Sequence, residues 1–228
     1  MNITRFDPLK AKPAHEGTIL ADDVVPAGMH EPFEHAYGYL LNSRSMMGHS
    51  HPTDEIYIVM SGTGYVMVGG RNMAVKAGDI VAIPPNVYHT MFCTEKDEAP
   101  YKWAALWWPH MEGVEPFGEE IVVQRFDPKT AESGHNGTIL AADVVPRQLK
   151  TPFGHAFGYL TAGQTMEAHR HHTHEMYMML EGTGKMTIDD ETCNVTAGDV
   201  IAIPPDALHE LTAKSEELLM AALWWDAE

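Results

Sequence analysis

Three histidines and one glutamate in the first half of the chain have the spacing of a metal site. His49 and His51 are separated by one residue, Glu55 follows, and His89 comes 34 residues after the glutamate. Residues at i and i+2 of a strand point to the same face, so the first two imidazoles are expected side by side. Imidazole and carboxylate together suit zinc, iron, manganese, nickel or copper, and three histidines with one glutamate leave open positions on an octahedral ion for a substrate.

The second half of the chain repeats this set at an offset of 120 residues. The same offset relates residues 5–8 to 125–128 and residues 17–21 to 137–141. Four separate polar residues at strand ends could also account for one set, but not easily for two sets with identical spacing. The sequence therefore predicts one divalent metal ion per repeat, and the second set consists of His169, His171, Glu175 and His209.

The composition describes a folded chain with few classes of macromolecular partner. Of its 228 residues 44% are hydrophobic, and the formal net charge is −17 with no basic stripe. That charge argues against nucleic acid and anionic membrane as partners. No run reaches the roughly 18 apolar residues of a spanning helix, and residues 1–10 lack the apolar core of a signal peptide, so a cytoplasmic location is predicted. Cys93 and Cys193 do not occupy equivalent positions in the repeat, which favours two reduced thiols.

The local pattern in each repeat is typical of strands. Short β-branched and aromatic runs, such as residues 55–60 and 65–68, are interrupted by Gly and Pro at close spacing. This pattern predicts a barrel or sandwich with little helix. We expect two units, residues 1–114 and 115–228, joined by the Gly, Pro and Glu-rich segment 109–120.

These motifs resemble those of the cupin superfamily over nearly the whole chain. The first cupin motif is matched in full by the second repeat, whereas the first repeat has Ser43 in place of the leading Gly. In the second motif Asn86 and Asp206 replace a turn Gly, and both residue types tolerate the left-handed conformation that such a turn requires. The resemblance implies two tandem jelly-roll β-barrels with a metal ion near the centre of each.

The resemblance leaves the reaction open, because cupins with this ligand set include dioxygenases, decarboxylases, isomerases, lyases and cyclases. It implies a metal-dependent enzyme that acts on a small polar, oxygen-rich molecule. A non-catalytic module that binds or senses a small molecule is the alternative. A storage protein with a degenerate site is a third hypothesis, and the two intact ligand sets argue against it.

Tyr57 and Tyr177 are candidate catalytic residues. Each lies two positions after the metal-binding glutamate on the same strand, so its phenol should face the same cavity and could donate a proton or hydrogen bond to a substrate. The alternative is a core tyrosine with a satisfied hydroxyl. His35 and His155 could line a pocket or make a duplicated structural hydrogen bond.

Several other residues have positions in the repeat that suggest a role. Arg44 has Gln164 as its counterpart and is a weak candidate for binding an anionic substrate in the first site. His172 and His174 are expected to face solvent. The tandem tryptophans, Trp107 with Trp108 and Trp224 with Trp225, are expected in the core or at an interface.

The face of the metal-binding strand opposite the glutamate is wholly apolar in both repeats. An apolar outer face needs cover by another layer. We therefore predict that the two barrels pack against each other through these faces with pseudo-twofold symmetry, and that a homodimer would be an additional contact. The residues concerned are Ile56, Ile58 and Met60 in the first repeat and Met176, Met178 and Leu180 in the second.

Overall fold

The computed structural model describes residues 1–41, 43–97, 100–114, 118 and 120–227. In this part of the chain nearly all regular structure is β-strand, and the helical content is a single 3-10 turn at His135–Gly137. The all-β prediction is confirmed.

The first half contributes ten strands to the fold. They are β1 (Asn2–Thr4), β2 (Lys12–Ala14), β3 (Ile19–Asp22), β4 (Glu34–Leu40), β5 (Thr53–Ser61), β6 (Thr63–Val68), β7 (Arg71–Lys76), β8 (Ile80–Ile83), β9 (His89–Phe92) and β10 (Tyr101–Pro109). The second half repeats this order. Its strands are β11 (Val122–Gln124), β12 (Glu132–Gly134), β13 (Ile139–Ala142), β14 (Gly154–Thr161), β15 (Thr173–Glu181), β16 (Thr183–Ile188), β17 (Glu191–Thr196), β18 (Val200–Ile203), β19 (His209–Ala213) and β20 (Glu217–Asp226).

Each half forms a jelly-roll from a seven-stranded and a three-stranded sheet. The first pair of sheets has the orders β11-β8-β5-β10-β4-β3-β2 and β7-β6-β9, and the second has β1-β18-β15-β20-β14-β13-β12 and β17-β16-β19. In the first half, Val59 of the large sheet and Val66 and Met91 of the small sheet belong to one buried cluster. The two sheets therefore close over a common interior, which also holds the predicted metal ligands.

The first strand of each half pairs with the sheet of the other half. Strand β1 is antiparallel to β18, and β11 is antiparallel to β8. Two ion pairs reinforce this exchange: Arg5 Nε lies 2.7 Å from Asp199 Oδ1, and Arg125 Nε lies 2.8 Å from Asp79 Oδ1. The predicted boundary at 114/115 adjoins residues 115–117, which lie outside the described residues, and it stays a prediction.

The apolar outer faces of β5 and β15 meet in a core that both halves share. All six residues predicted for this interface are buried in one cluster. Phe33 and its repeat counterpart Phe153 stand edge to face there, with ring centroids 5.1 Å apart. The indole N–H of Trp108 donates to the carbonyl of Lys150 in the other half, and that of Trp225 donates to the carbonyl of Met29. The predicted packing of barrel against barrel is confirmed.

Candidate metal centres

The predicted ligands of the first barrel converge because two segments pair across its interior. His49 and His89 form an isolated antiparallel bridge, with the His49 amide 3.1 Å from the His89 carbonyl and the return bond at 2.9 Å. Glu55 is the third residue of β5, and strand alternation turns its side chain inward, beside the two histidines. His51 Nε2 lies 3.0 Å from Glu55 Oε2, and His89 Nε2 lies 3.2 Å from the same oxygen.

The second barrel brings together the four corresponding residues. One ligand atom from each of its four predicted residues lies within 4.8 Å of the other three. Glu175 Oε2 is 2.8 Å from His171 Nε2 and 3.1 Å from His209 Nε2. In the first barrel only the three histidine atoms satisfy this mutual distance, and Glu55 contacts two of them.

The turn that follows β8, like its counterpart after β18, is hydrogen-bonded to the backbone of a predicted ligand. Asn86 has φ 61° and its counterpart Asp206 has φ 64°, so both adopt the left-handed conformation expected where a turn Gly is replaced. The Asn86 amide donates to the His51 carbonyl at 2.7 Å, and the Asp206 amide donates to the His171 carbonyl at 2.8 Å. The departures from the family motif therefore preserve the backbone that carries the second histidine.

In most of the predicted ligand imidazoles, one ring nitrogen forms a hydrogen bond with a group outside the cluster. The Nδ1 of His89 donates to the Val87 carbonyl at 2.9 Å, and that of His209 donates to the Ala207 carbonyl at 3.0 Å. Because a carbonyl only accepts, each of these rings presents an unprotonated Nε2 to the cluster when the imidazole is neutral. Such outer partners orient ligands in metal sites.

Two threonines that the sequence analysis did not single out orient the remaining pair of rings. Thr53 Oγ1 lies 2.6 Å from His51 Nδ1, and Thr173 Oγ1 lies 2.7 Å from His171 Nδ1. Both threonines occupy the same position two residues after a ligand, so the repeat offset was a signal that could have found them.

The donor set fits a divalent transition metal. His89 Nε2 and His209 Nε2 are buried and have no hydrogen-bond partner among the described residues, although each faces a carboxylate. A buried acceptor nitrogen without a donor is costly, and a metal ion would satisfy both it and the glutamate oxygen. His49 Nδ1 is likewise buried without a described partner.

In each cluster, protons and a metal ion would compete for the same histidine nitrogens. Burial disfavours the charged form of His51, but the hydrogen bond and charge of Glu55 outweigh it and raise the pKa of His51. The hydrogen bond to Glu175 raises the pKa of His171 despite burial. Burial instead lowers the pKa of His49 to about 4, with His89 adding to the effect. Each centre therefore contains one histidine whose pKa lies above its ordinary value in the metal-free protein.

This arrangement predicts a pH dependence for metal binding. A histidine with a raised pKa keeps its proton above pH 6.5, and a metal ion must displace that proton, so affinity should rise with pH until His51 and His171 are deprotonated. His49 is neutral well below that range and should contribute no slope. Titration with Mn²⁺ between pH 5.5 and 8.5 should show affinity that falls by up to tenfold per pH unit on the acid side. A flat profile would contradict a proton-linked His51 or His171.

The first centre opens into a cavity of about 440 Å³. Tyr57 lines it with Glu55, and the Tyr57 ring centroid is 5.9 Å from that of His89. Tyr177 has the same 5.9 Å separation from His209 in the second barrel. Burial raises the pKa of Tyr57 and of Tyr177 well above the ordinary value, and the neighbouring glutamate adds to the shift. Both phenols therefore stay protonated beside the clusters, on the face that alternation predicted.

His35 and Arg44 lie outside this cavity lining. His35 accepts a hydrogen bond from the Val24 amide at 3.3 Å and lies 3.1 Å from Glu31, as a structural histidine would. His155 has the equivalent contact with the Val145 amide at 3.5 Å. Arg44 is exposed on the surface and does not line the cavity of the first centre, so the structure gives no support to its suggested role.

The structure places the remaining candidate residues at the surface, at the interface between the halves or in the cavity wall. His172 is exposed, as predicted, and pairs with Asp206. The prediction for His174 is wrong: its ring is half-buried and stacks on Trp225 at the interface, because β15 turns alternate residues toward the other half. Trp108 and Trp225 lie in the shared core, whereas Trp107 lines the first cavity, a role that its position alone did not indicate.

The remaining predictions concern thiols and membranes. Cys93 and Cys193 are both free thiols in the structure. Among the described residues, no helix combines the length and apolarity that crossing a bilayer requires.

Comparison with protein families settles the family of the chain. The cupin domain family matches residues 43–108 and 157–226, which together make up more than half of the sequence and contain every predicted metal ligand. The chain is a cupin. The first matched segment begins shortly before its His-x-His motif and the second begins within β14, and each ends on the last strand of its barrel.

Curated relatives match parts of the chain. Dimethylsulfoniopropionate lyase DddW of Ruegeria pomeroyi is 34% identical over 95 residues, which cover 42% of this cupin and 60% of the lyase. The curated relatives are matched over only 35% and 60% of their own lengths.

Solved structures share the fold across the whole chain. A cupin 2 conserved barrel domain protein from Leptotrichia buccalis has a TM-score of 0.67 at 14% identity, and the match covers 98% of this chain and 96% of that one. Oxalate decarboxylase of Bacillus subtilis, in a structure whose Mn(II) centres were characterised, has a TM-score of 0.60 at 15% identity over 100% and 78% of the two chains. At such identities the likeness concerns the fold.

Proposed function

We propose that this cupin is a metal-dependent enzyme with one three-histidine, one-glutamate centre in each barrel. The reaction would be redox-neutral cleavage or isomerisation of a small, oxygen-rich molecule, in the lyase, decarboxylase or isomerase class. The observation that carries this proposal is that Tyr57 lines the same cavity as His49, His51 and Glu55 of the first ligand cluster. The partial similarity to a lyase supports the same class of chemistry.

The metal and the protein would have separate tasks. A bound divalent ion would act as a Lewis acid that polarises a carbonyl or carboxylate oxygen of the substrate. Among the described residues that line the first cavity none is Lys or Arg, so no lysine or arginine competes for that oxygen. The substrate's oxygen-rich end is therefore expected at the ligand cluster.

Tyr57 is suited to donate rather than to accept a proton. It is 2% exposed, and a phenol with a raised pKa remains an O–H donor at neutral pH. A substrate oxygen that gains negative charge as a neighbouring bond breaks would strengthen a hydrogen bond from this hydroxyl. The apolar wall beside it, which includes Ile19, Met46 and Trp103, would exclude water that would otherwise supply the proton.

The two barrels differ in the shape of this wall. Tyr37 and Trp103 in the first barrel correspond to Phe157 and Met220 in the second. Trp103 packs directly over Gly38, where a Cβ would lie 2.2 Å from the indole, and Met220 takes this place over Gly158. The larger aromatic surface of the first cavity suggests that the two centres prefer different substrates.

Replacing Tyr57 by Phe should separate catalysis from metal binding. Loss of a positioned proton donor typically reduces turnover by about 10²- to 10⁴-fold, while metal content should not change because Tyr57 is not a ligand. Wild type and variant, loaded separately with Mn²⁺, Fe²⁺ and Zn²⁺, would be incubated with a panel that includes oxalate and dimethylsulfoniopropionate, and products followed by NMR.

Tyr177→Phe is the matched comparison, because it makes the same change in the other barrel and so shows which centre converts a given substrate. If ligands perturb the bound metal but no panel member is converted under anaerobic or aerobic conditions, the non-catalytic binding function is favoured. Turnover that consumes dioxygen would instead favour the oxygenase class and contradict a redox-neutral reaction.

A further inference from the structure

A fourth histidine lies against the first ligand of each centre. The ring centroid of His15 is 4.5 Å from that of His49, with the planes tilted by 49°. In the second barrel His135 is 4.2 Å from His169, with a tilt of 50°. The two histidines are related by the same offset of 120 residues as the ligands, and His15 also lines the first cavity.

Both histidines adopt a left-handed backbone conformation that is uncommon for residues other than Gly. His15 has φ 48° and His135 has φ 46°, which is the left-handed region that Gly and Asn occupy far more readily. The residues that follow, Glu16 and Asn136, are left-handed as well. A strained residue that recurs at one position in both halves points to a function for its side chain.

The turn that carries each histidine is fastened to the loop that carries the ligand. The Met47 amide donates to Thr18 Oγ1 at 2.8 Å, and this hydroxyl donates to the His15 carbonyl at 2.7 Å. In the second barrel the Glu167 amide donates to Thr138 Oγ1 at 3.0 Å, and Thr138 donates to the His135 carbonyl at 2.7 Å. The relay ends two residues before His49 or His169, so it sets the distance between the paired rings.

The two barrels differ in how else the first ligand is held. His169 Nδ1 donates to the Glu167 carbonyl at 2.9 Å, which fixes that ring independently of His135. His49 Nδ1 has no hydrogen-bond partner among the described residues. The orientation of His49 therefore depends more heavily on the ring that packs against it.

We propose that His15 and His135 are positioning residues that hold the first ligand imidazole of each centre in its metal-binding orientation. The proposal rests on the proposed function, since the role has meaning only if the centres bind metal. Removal of a group that orients a ligand typically weakens metal affinity by about 10- to 100-fold. The effect should be larger for His15 than for His135, because His169 has a second anchor.

The test measures the first centre alone. In a full-length Glu175→Ala background, Mn²⁺ affinity and the Mn²⁺ EPR spectrum would be compared between the parent, His15→Asn and Glu16→Asn. Asn tolerates the left-handed backbone, so His15→Asn removes the ring and keeps the turn. Glu16→Asn is the matched control, because Asn136 already occupies this position in the second repeat.

His15→Asn is expected to weaken Mn²⁺ binding about 10- to 100-fold and to alter the EPR spectrum, with Glu16→Asn like the parent. Equal affinities and spectra for both variants would overturn the proposal while leaving the centre itself established. A parent that binds no Mn²⁺ at pH 8 would overturn the proposed function and this inference with it.

The thermal unfolding midpoint of each metal-free variant is measured to show that the protein is still folded. Should His15→Asn fail to fold, His135→Asn in a Glu55→Ala background tests the same role in the second centre. In that case the proposal is supported by a loss of affinity that exceeds the experimental error of the measurement and is smaller than the loss predicted for His15→Asn. An unchanged affinity overturns it.

Discussion

Replacing Glu55 by Ala should empty the first centre and leave the second one loaded. The carboxylate contacts two ligand nitrogens and is the only anionic donor in its cluster, so its loss should weaken metal binding by more than the roughly 100-fold seen for outer-sphere partners. Among the described residues, each cluster draws all its members from one barrel. Metal analysis by mass spectrometry should therefore give two equivalents for wild type and one for the variant.

Three further variants make this result specific. Glu175→Ala should retain one equivalent, at the first barrel, and the double variant should retain none. Glu55→Gln keeps the side-chain volume and tests the charge, and Glu181→Ala removes an exposed carboxylate at the end of β15 as a control. Loss of both metals from one substitution would show that the centres are not independent.

Replacing Trp108 by Ala should destabilise the whole chain rather than one barrel. The indole is 1% exposed, stands 5.2 Å from the ring of Phe153 across the interface, and donates to the Lys150 carbonyl at 2.9 Å. Truncating a buried tryptophan costs about 3–5 kcal/mol. Because one apolar cluster spans both halves, chemical denaturation should remain a single transition that shifts to lower denaturant.

Trp108→Phe serves as the graded control. It keeps a ring in the interface but loses the N–H donor, so it should cost less than the alanine variant and leave the transition single. Two separated transitions in either variant, with only the first half shifted, would show that the barrels fold independently.

The pattern of the ligands and of the interface could be predicted from sequence because both follow strand alternation. Once Glu55 is placed on the inner face, period-2 geometry turns Tyr57 inward and Ile58 outward, whatever the rest of the fold does. The left-handed turns at Asn86 and Asp206 were likewise predictable, because that preference belongs to the residue type. Duplication strengthened each of these predictions, since a chance pattern does not recur at one offset.

The sequence could not show which distant segments would meet. The pairing of β1 with β18, and of Arg5 with Asp199, joins residues almost 200 positions apart, and no local periodicity records such a contact. His15 is separated by 34 residues from the ligand it contacts, and its position depends on how the turn after β2 folds back over the barrel.

The same limit explains the wrong or missing assignments. His174 follows the alternation of β15, but whether its outward face meets water or another barrel is decided by how the halves dock. Local sequence thus determined the residue types, their faces and the ligand spacing. The tertiary structure alone decided which imidazole packs on His49, which walls enclose Tyr57 and which strand completes each sheet, because these depend on long-range packing.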